Sequence, residues 1–257
     1  MVKKFDDALH SLTLSEDGSY TAYSKEYDEH YHSTKDGALH ESLLKHVIPA
    51  LELKKEFVEI NILDICFGLG FNTLATLYYA HKKKIQTKIN IYSPELDAQL
   101  VNSLVHFTYP KEFNHLRVVM ESLVEKGSYE DSSISIELYL GDARVYLKKL
   151  MEKQIKFDIV YQDAFSPSTN PILWTKEYFK DIASLVKEDG VVTTYSIAFK
   201  TRLALYENGF HLYINSAEEM RDATVASKTQ LVDFELVDMP HKIKCNKGIV
   251  ALSDATI

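Results

Sequence analysis

The 257-residue chain predicts an α/β fold, a mainly parallel, seven-stranded sheet with helices on both faces and a small N-terminal appendage. Three observations carry this. Short apolar, β-branched runs recur at 60–66, 89–93, 134–140, 157–162, 191–196, 210–214 and 247–251. Stretches of helical periodicity at 72–79, 97–107, 111–126, 143–153, 175–186 and 199–207 separate most of them. The first run ends in a glycine turn that opens directly into a helix. Such alternation implies parallel strands joined by crossover helices.

Residues 1–52 form the expected appendage and 53–257 the main domain. In the appendage, 9–14 and 20–23 read as a hairpin across Ser15-Glu16-Asp17-Gly18-Ser19. A polar segment follows with Tyr23, Tyr27, His30, Tyr31 and His32, then helical periodicity over 39–51, expected to stop near Pro49. This part is expected to lie over the ligand end of the main domain. Its aromatics either stack on an exposed base or simply pack the appendage on the core. No cysteine or carboxylate spacing accompanies the histidines, so no metal site is expected.

The formal charge of -8 argues against a broad nucleic-acid surface. Local basic clusters stand at Lys82-Lys83-Lys84, Lys148-Lys149 and Lys242, Lys244 and Lys247. Two cysteines, Cys66 and Cys245, make no disulfide framework. No apolar run is long enough to span a bilayer, and the opening MVKKFDDALHSL lacks the apolar core of an export signal. The expected location is therefore cytoplasmic, with no membrane partner.

The first strand and its turn read EINILDICFGLGFN over 59–72. Gly68 and Gly70 let a ligand approach the backbone, and the helix that follows presents free N–H groups beside Asn72. The turn is Rossmann-type, but Thr73 stands where a dinucleotide fingerprint wants a third glycine, which disfavours a nicotinamide oxidoreductase. A purely structural turn fits the same letters.

Carboxylates mark four strand ends: Asp64, Glu95, Asp142 and Asp163. Glu95 and Asp142 could each cap the following helix instead. Asp163 precedes Phe165-Ser166-Pro167 and Asn170-Pro171, a proline-stiffened loop that runs to Trp174. A strand end followed by such a loop is where this fold builds a reaction pocket. One acid for a ribose, one for adenine and one at the reacting group is the layout of class I S-adenosylmethionine-dependent methyltransferases. Their sulfonium donor is a cation, which suits an acidic site.

The segment DAFSPSTNPILWTKEYF at 163–179 closely resembles the D-G-F-x-P-x-x-N-P-x-x-W-x-x-x-x-F signature of the MnmC methyltransferase domain family. Ala164 replaces the second glycine. FGLGFN is similar to that family's G-F-G-x-G-x-N, Ser93-Pro94-Glu95 to its S-x-E, and Gly141-Asp142 to its G-D. Tyr27-Asp28, Tyr31, Ser33, Gly37 and Glu41 resemble its N-terminal elements. The resemblance spans about 24–210 and fades where the family carries a basic G-F-G-x-K-R-type segment. Here SAEEMRDATVASK offers Arg221 and Lys228.

The resemblance implies an S-adenosylmethionine-dependent enzyme that methylates the aminomethyl group of a modified wobble uridine in the tRNA anticodon stem-loop. It implies donor contacts from Asp64, Gly68, Gly70 and Asn72 at the glycine turn, Glu95 at the ribose, and Asp142 with Ala143 at the adenine. Asp163 and Phe165 would flank the reacting end, Asp163 as the catalytic group. Tyr31, Glu41, Phe165, Pro167 and Trp174 would meet the substrate. No residues for the family's flavin oxidase are present, so a stand-alone methyltransferase served by a separate oxidase is expected. Two further readings share some of the residues: an aminopropyltransferase using decarboxylated donor, and a non-catalytic RNA- or partner-binding protein.

Overall fold

A computed structural model describes residue 5, residues 9–218 and residues 220–257. Residues 1–4 and 6–8 of the expected appendage lie outside the described residues. The hairpin forms as expected. Strands β1 (His10–Leu14) and β2 (Tyr20–Ser24) pair antiparallel, and a short β3 (Glu29–His30) extends them to three strands. The turn is closed by Asp17, whose carboxylate accepts the Ser19 N–H at 2.8 Å.

The helical stretch after the hairpin does not stop at Pro49. It runs as α1 (Ala38–Glu41), a π-helical segment (Ser42–Val47) and α2 (Ile48–Lys54). Proline lacks an N–H, and it falls in the first turn of α2, just where the wider π pairing ends and the loss of that donor is tolerated.

Among the described residues the main sheet has nine strands rather than seven. They are β4 (Glu59–Ile65), β5 (Lys88–Glu95), β6 (Ser128–Glu130), β7 (Ile134–Leu140), β8 (Phe157–Gln162), β9 (Val186–Thr194), β10 (His211–Asn215), β11 (Ala223–Ser227) and β12 (Glu235–Leu236). Their order is β12-β10-β11-β9-β8-β4-β5-β7-β6. The five central strands, β9 to β7 in that order, are parallel, while β11 enters antiparallel between β9 and β10. The expected strand at 247–251 is not in the sheet: its Ile249 and Val250 are exposed. The short run ATVAS of β11 takes the inserted place, because its small and β-branched side chains fit a strand buried on both faces. β6 and β12 are short edge strands, three and two residues long.

Crossover helices α3 (Phe71–Lys83), α4 (Ala98–Ser103), α5 (Arg117–Lys126), α6 (Ala143–Glu152), α7 (Lys176–Leu185) and α8 (Phe199–Glu207) link the strands, and α9 (Met239–Cys245) follows β12. One apolar cluster joins α3 and α5 to the hairpin and α2, through Ala22, Ala50 and Leu51. The other packs α6, α7 and α8 on the opposite face around Tyr146, Trp174 and Phe179.

The chain leaves β4 for β5 and β7 on one side, then returns to β8 and β9 on the other. The resulting switch point lies between β4 and β8, at the strand ends where such sheets bind ligands. Gly70 opens α3 there at φ +76°, and a Cβ on it would come within 2.8 Å of both Met120 Cε and Phe67 Cζ. Gly70→Ala is therefore expected to destabilise the fold by about 1–3 kcal/mol, from left-handed strain plus overpacking. Urea unfolding with an unchanged midpoint would contradict this.

Candidate active site

A cavity of about 810 Å³ opens over the ends of β4, β5, β7 and β8, roofed by the N-terminal hairpin. Glu95, Asp142 and Asp163 all line it, as do Gly68, Ala143 and Phe165. From the hairpin side come Tyr27, Tyr31 and His32, with Glu41 from α1. Asp64, Gly70, Asn72, Pro167 and Trp174 do not reach the cavity wall.

The donors around Glu95 explain its position. Its carboxylate accepts the Gly68 N–H at 2.7 Å and the Asp97 N–H at 2.9 Å, which ties the glycine turn to the end of β5. Burial raises this carboxyl, and the two amides only partly offset that. Glu95 is no helix cap: Asp97 caps α4, accepting from Gln99 and Leu100. Asp142 does cap α6, its Oδ1 accepting the Val145 N–H at 2.9 Å, while still facing the cavity. The cap and the ligand readings of that residue are thus compatible.

Asp163 sits at the end of β8 with its side chain 10% exposed. Oδ2 accepts from Asn72 Nδ2 at 2.8 Å, and Oδ1 lies 3.4 Å from His46 Nε2. That second contact has ion-pair reach without hydrogen-bond alignment. Burial alone would raise this carboxyl, but His46, His32 and Asn72 together outweigh it and hold the group well below the usual carboxylate range.

The loop after Asp163 is braced from behind. Trp174 is fully buried and donates its indole N–H to the Phe165 carbonyl at 2.7 Å. Trp174, expected to meet the substrate, thus stands behind Phe165 and off the cavity wall. Pro167 likewise lies on the loop, away from the wall. Tyr195 donates to the Ala164 carbonyl at 2.9 Å, and Glu29 of β3 accepts the Ser166 N–H at 3.2 Å. The ring of Phe165 stacks on Tyr27 at 4.6 Å and meets Tyr31 at 4.9 Å. Tyr23 points elsewhere, bonded to Asp28 and packed on His30.

Asp64 is buried behind the glycine turn. Its Oδ2 accepts from Thr73 at 2.7 Å, and its Oδ1 has no aligned hydrogen-bond partner among the described residues. Burial pushes the Asp64 carboxyl up to about 7. An acid raised in the folded state stabilises fully below its unfolded value, and that contribution is lost as pH rises towards the folded one. The stability of wild type relative to Asp64→Asn should accordingly fall by about 1 kcal/mol per unit from about pH 4 to about pH 7, then level off. A pH-independent difference in chemical denaturation would contradict it.

His46 escaped the reading of the sequence. It lies in a stretch whose apolar spacing marks a helix, and one polar ring among Leu43, Leu44, Val47 and Leu51 was the only signal. Lys228 is also not a free cation: its Nζ donates to the Val186 carbonyl at 2.8 Å. Arg221 instead lines a cleft that shares Ser33, Lys35, Glu41 and Tyr195 with the main cavity.

The cavity suits a cationic nucleoside-bearing ligand. Its volume is in the range of small-molecule sites. A Cβ on Gly68 would lie 3.1 Å from the Tyr31 ring, so glycine keeps that edge of the cavity open. Glu26, Glu29, Glu41, Glu95, Asp97, Asp142 and Asp163 stand on its walls against Lys35.

The family described as S-adenosyl-L-methionine-dependent methyltransferase matches residues 111–229. The MnmC2 structure from Aquifex aeolicus superposes with a TM-score of 0.83 at 29% identity, covering 97% of this chain and 80% of that one. "Uncharacterized protein MJ0670" of Methanocaldococcus jannaschii is 32% identical over 95% of this chain and 65% of its own length. The "tRNA 5-methylaminomethyl-2-thiouridine biosynthesis bifunctional protein MnmC" of an Azoarcus species is 32% identical over 79% of this chain. The chain spans 33% of that protein's length. Fold, cavity and matches together define a class I S-adenosylmethionine-dependent methyltransferase. More narrowly, the chain carries an MnmC-like methyltransferase domain.

Proposed function

We propose that this domain N-methylates the 5-aminomethyl group of a modified wobble uridine, 5-aminomethyl-2-thiouridine, in the anticodon stem-loop of tRNA, giving 5-methylaminomethyl-2-thiouridine. The observation that carries the reading is one acid-lined cavity in which Asp163 and the Phe165–Tyr27–Tyr31 aromatic wall share a face with Glu95 and Asp142. The activity named for the Azoarcus relative suggests the substrate class. A separate oxidase that prepares the amine belongs to the same proposal.

When bound, S-adenosylmethionine supplies a sulfonium methyl group that is already electrophilic. Glu95 would accept the ribose hydroxyls and Asp142 the adenine amino group with Ala143 beside it, and Gly68 would border the methionine portion. Asp64 and Asn72 act from behind, the first holding the glycine turn through Thr73 and the second holding Asp163. Tyr27, Tyr31 and Phe165 enclose the base and exclude water, and Glu41 lines the outer wall. Asp163 accepts an N–H of the substrate amine and turns its lone pair towards the methyl carbon. In-line attack on that methyl group would form the C–N bond as the C–S bond breaks, so alignment and desolvation would be the main services of these residues.

RNA needs basic contacts. Lys35 and Arg221, in the cleft that continues the cavity, are the candidates; Lys45 of the same cleft is paired with Asp36 and Glu41. Lys82, Lys83 and Lys84 end α3 and stand at the opposite edge of the sheet from its N-terminus at the cavity. The reading is tested by tritium transfer from labelled S-adenosylmethionine to tRNA lacking the terminal methyl group, with nucleoside analysis. Label in 5-methylaminomethyl-2-thiouridine is expected. Label in no nucleoside, or aminopropyl transfer from the decarboxylated donor, would overturn it.

A further inference from the structure

We propose that His46 is a positioning residue of this site: its Nε2–H and the Asn72 amide grip opposite oxygens of Asp163 and hold it as a fixed hydrogen-bond acceptor for the substrate amine, not as the base that removes a proton. The kinetic part of this inference rests on the reading above; the geometric part does not.

His46 is fully buried within the π-helical segment, a local widening that often accompanies function. Its Nδ1 lies 3.0 Å from the hydroxyl of Thr193, a fully buried residue of β9. The Thr193 hydroxyl can donate to Nδ1, and in that tautomer, the one this proposal assigns, the ring proton stands on Nε2. Nε2 faces Asp163 Oδ1 at 3.4 Å and has no aligned partner in this structure. A contraction of a few tenths of an ångström, of the kind active sites undergo on binding, would make the bond. Asn72 Nδ2 already holds Oδ2. Both oxygens are then fixed, and each keeps a lone pair for the cavity.

The imidazole is faced by Asp163 and Tyr161 from β8, by Asp64 from β4 and by His32 from the end of the hairpin. A carboxylate gripped by two donors is a weak proton acceptor and a strong partner for positive charge.

The chemistry balances without a base at this position. A neutral amine attacks, the C–N bond forms, the C–S electron pair stays on sulfur, and the product leaves as a secondary ammonium with both N–H protons in place. Asp163 faces the charge that develops on nitrogen. The proton that the free alkylamine must lose beforehand goes to water.

Two measurements on the intact protein test this. The 15N shifts of the His46 ring are expected to report the Nε2–H tautomer, and an Nδ1–H tautomer would overturn the assignment. The 13C carboxylate resonance of Asp163, identified by its loss in Asp163→Asn, is expected to stay flat from about pH 5 to about pH 8. In His46→Leu it should titrate inside that window, and His46→Gln, which retains an N–H donor, should restore the flat trace. Turnover on aminomethyl tRNA should fall about 10- to 100-fold in His46→Leu with donor affinity within about twofold, and recover in part in His46→Gln. Titration of Asp163 in the wild type, or a flat trace in His46→Leu, would overturn the proposal. Wild-type protein that transfers no methyl group would defeat the proposed substrate and leave both resonance measurements to judge His46.

Discussion

Asp163→Ala is expected to lower methyl transfer by about 10²- to 10³-fold while donor affinity changes little. At the cavity end of β8 the carboxylate accepts from Asn72 of α3 and lies 3.4 Å from His46 of the π-helical segment. Removing a preorganised charged partner from a desolvated site costs roughly this much in turnover. The donor's ribose and adenine are assigned to Glu95 and Asp142, so their contacts survive the change. Single-turnover kinetics alongside calorimetry separate the two quantities. Unchanged turnover would take Asp163 out of the reaction; an equal loss in affinity and rate would make it a donor-binding residue instead.

Glu95→Ala should do the reverse and weaken S-adenosylmethionine binding by about 10- to 100-fold. Hydrogen bonds to a charged group contribute about 1.5–3 kcal/mol, and the same substitution strands the Gly68 and Asp97 N–H groups. Turnover at saturating donor should fall much less. A normal binding isotherm would refute the ribose role.

The central sheet was legible because its strands are short, mainly apolar and β-branched runs between helical stretches. Glu95, Asp142 and Asp163 could be picked out because each is the first charge after such a run, while Asp64 lies inside the first one. What was not legible depended on contacts remote in sequence. β11 is five residues of small side chains that become a strand only between β9 and β10. The apolar letters at 247–251 looked more strand-like yet stay outside the sheet. Pro49 reads as a stop, but the π-helical segment ahead of it moves the helix end to Lys54.

Within the site, Phe165 and Trp174 belong to one motif but divide the work: one forms the wall and the other holds it in place. The Asn72 bond to Asp163 spans 91 positions and the His46 bond to Thr193 spans 147, separations that no local pattern reveals. Asp142 combines the two roles that its sequence context offered, cap and cavity wall.

A crystal structure of the protein with S-adenosylhomocysteine tests the whole account most directly. The ligand should occupy the cavity over the ends of β4, β5, β7 and β8, with ribose hydroxyls on Glu95, the adenine amino group on Asp142 and its sulfur on the side of Asp163. A ligand bound elsewhere, or in this cavity with its sulfur turned away from Asp163, would contradict it.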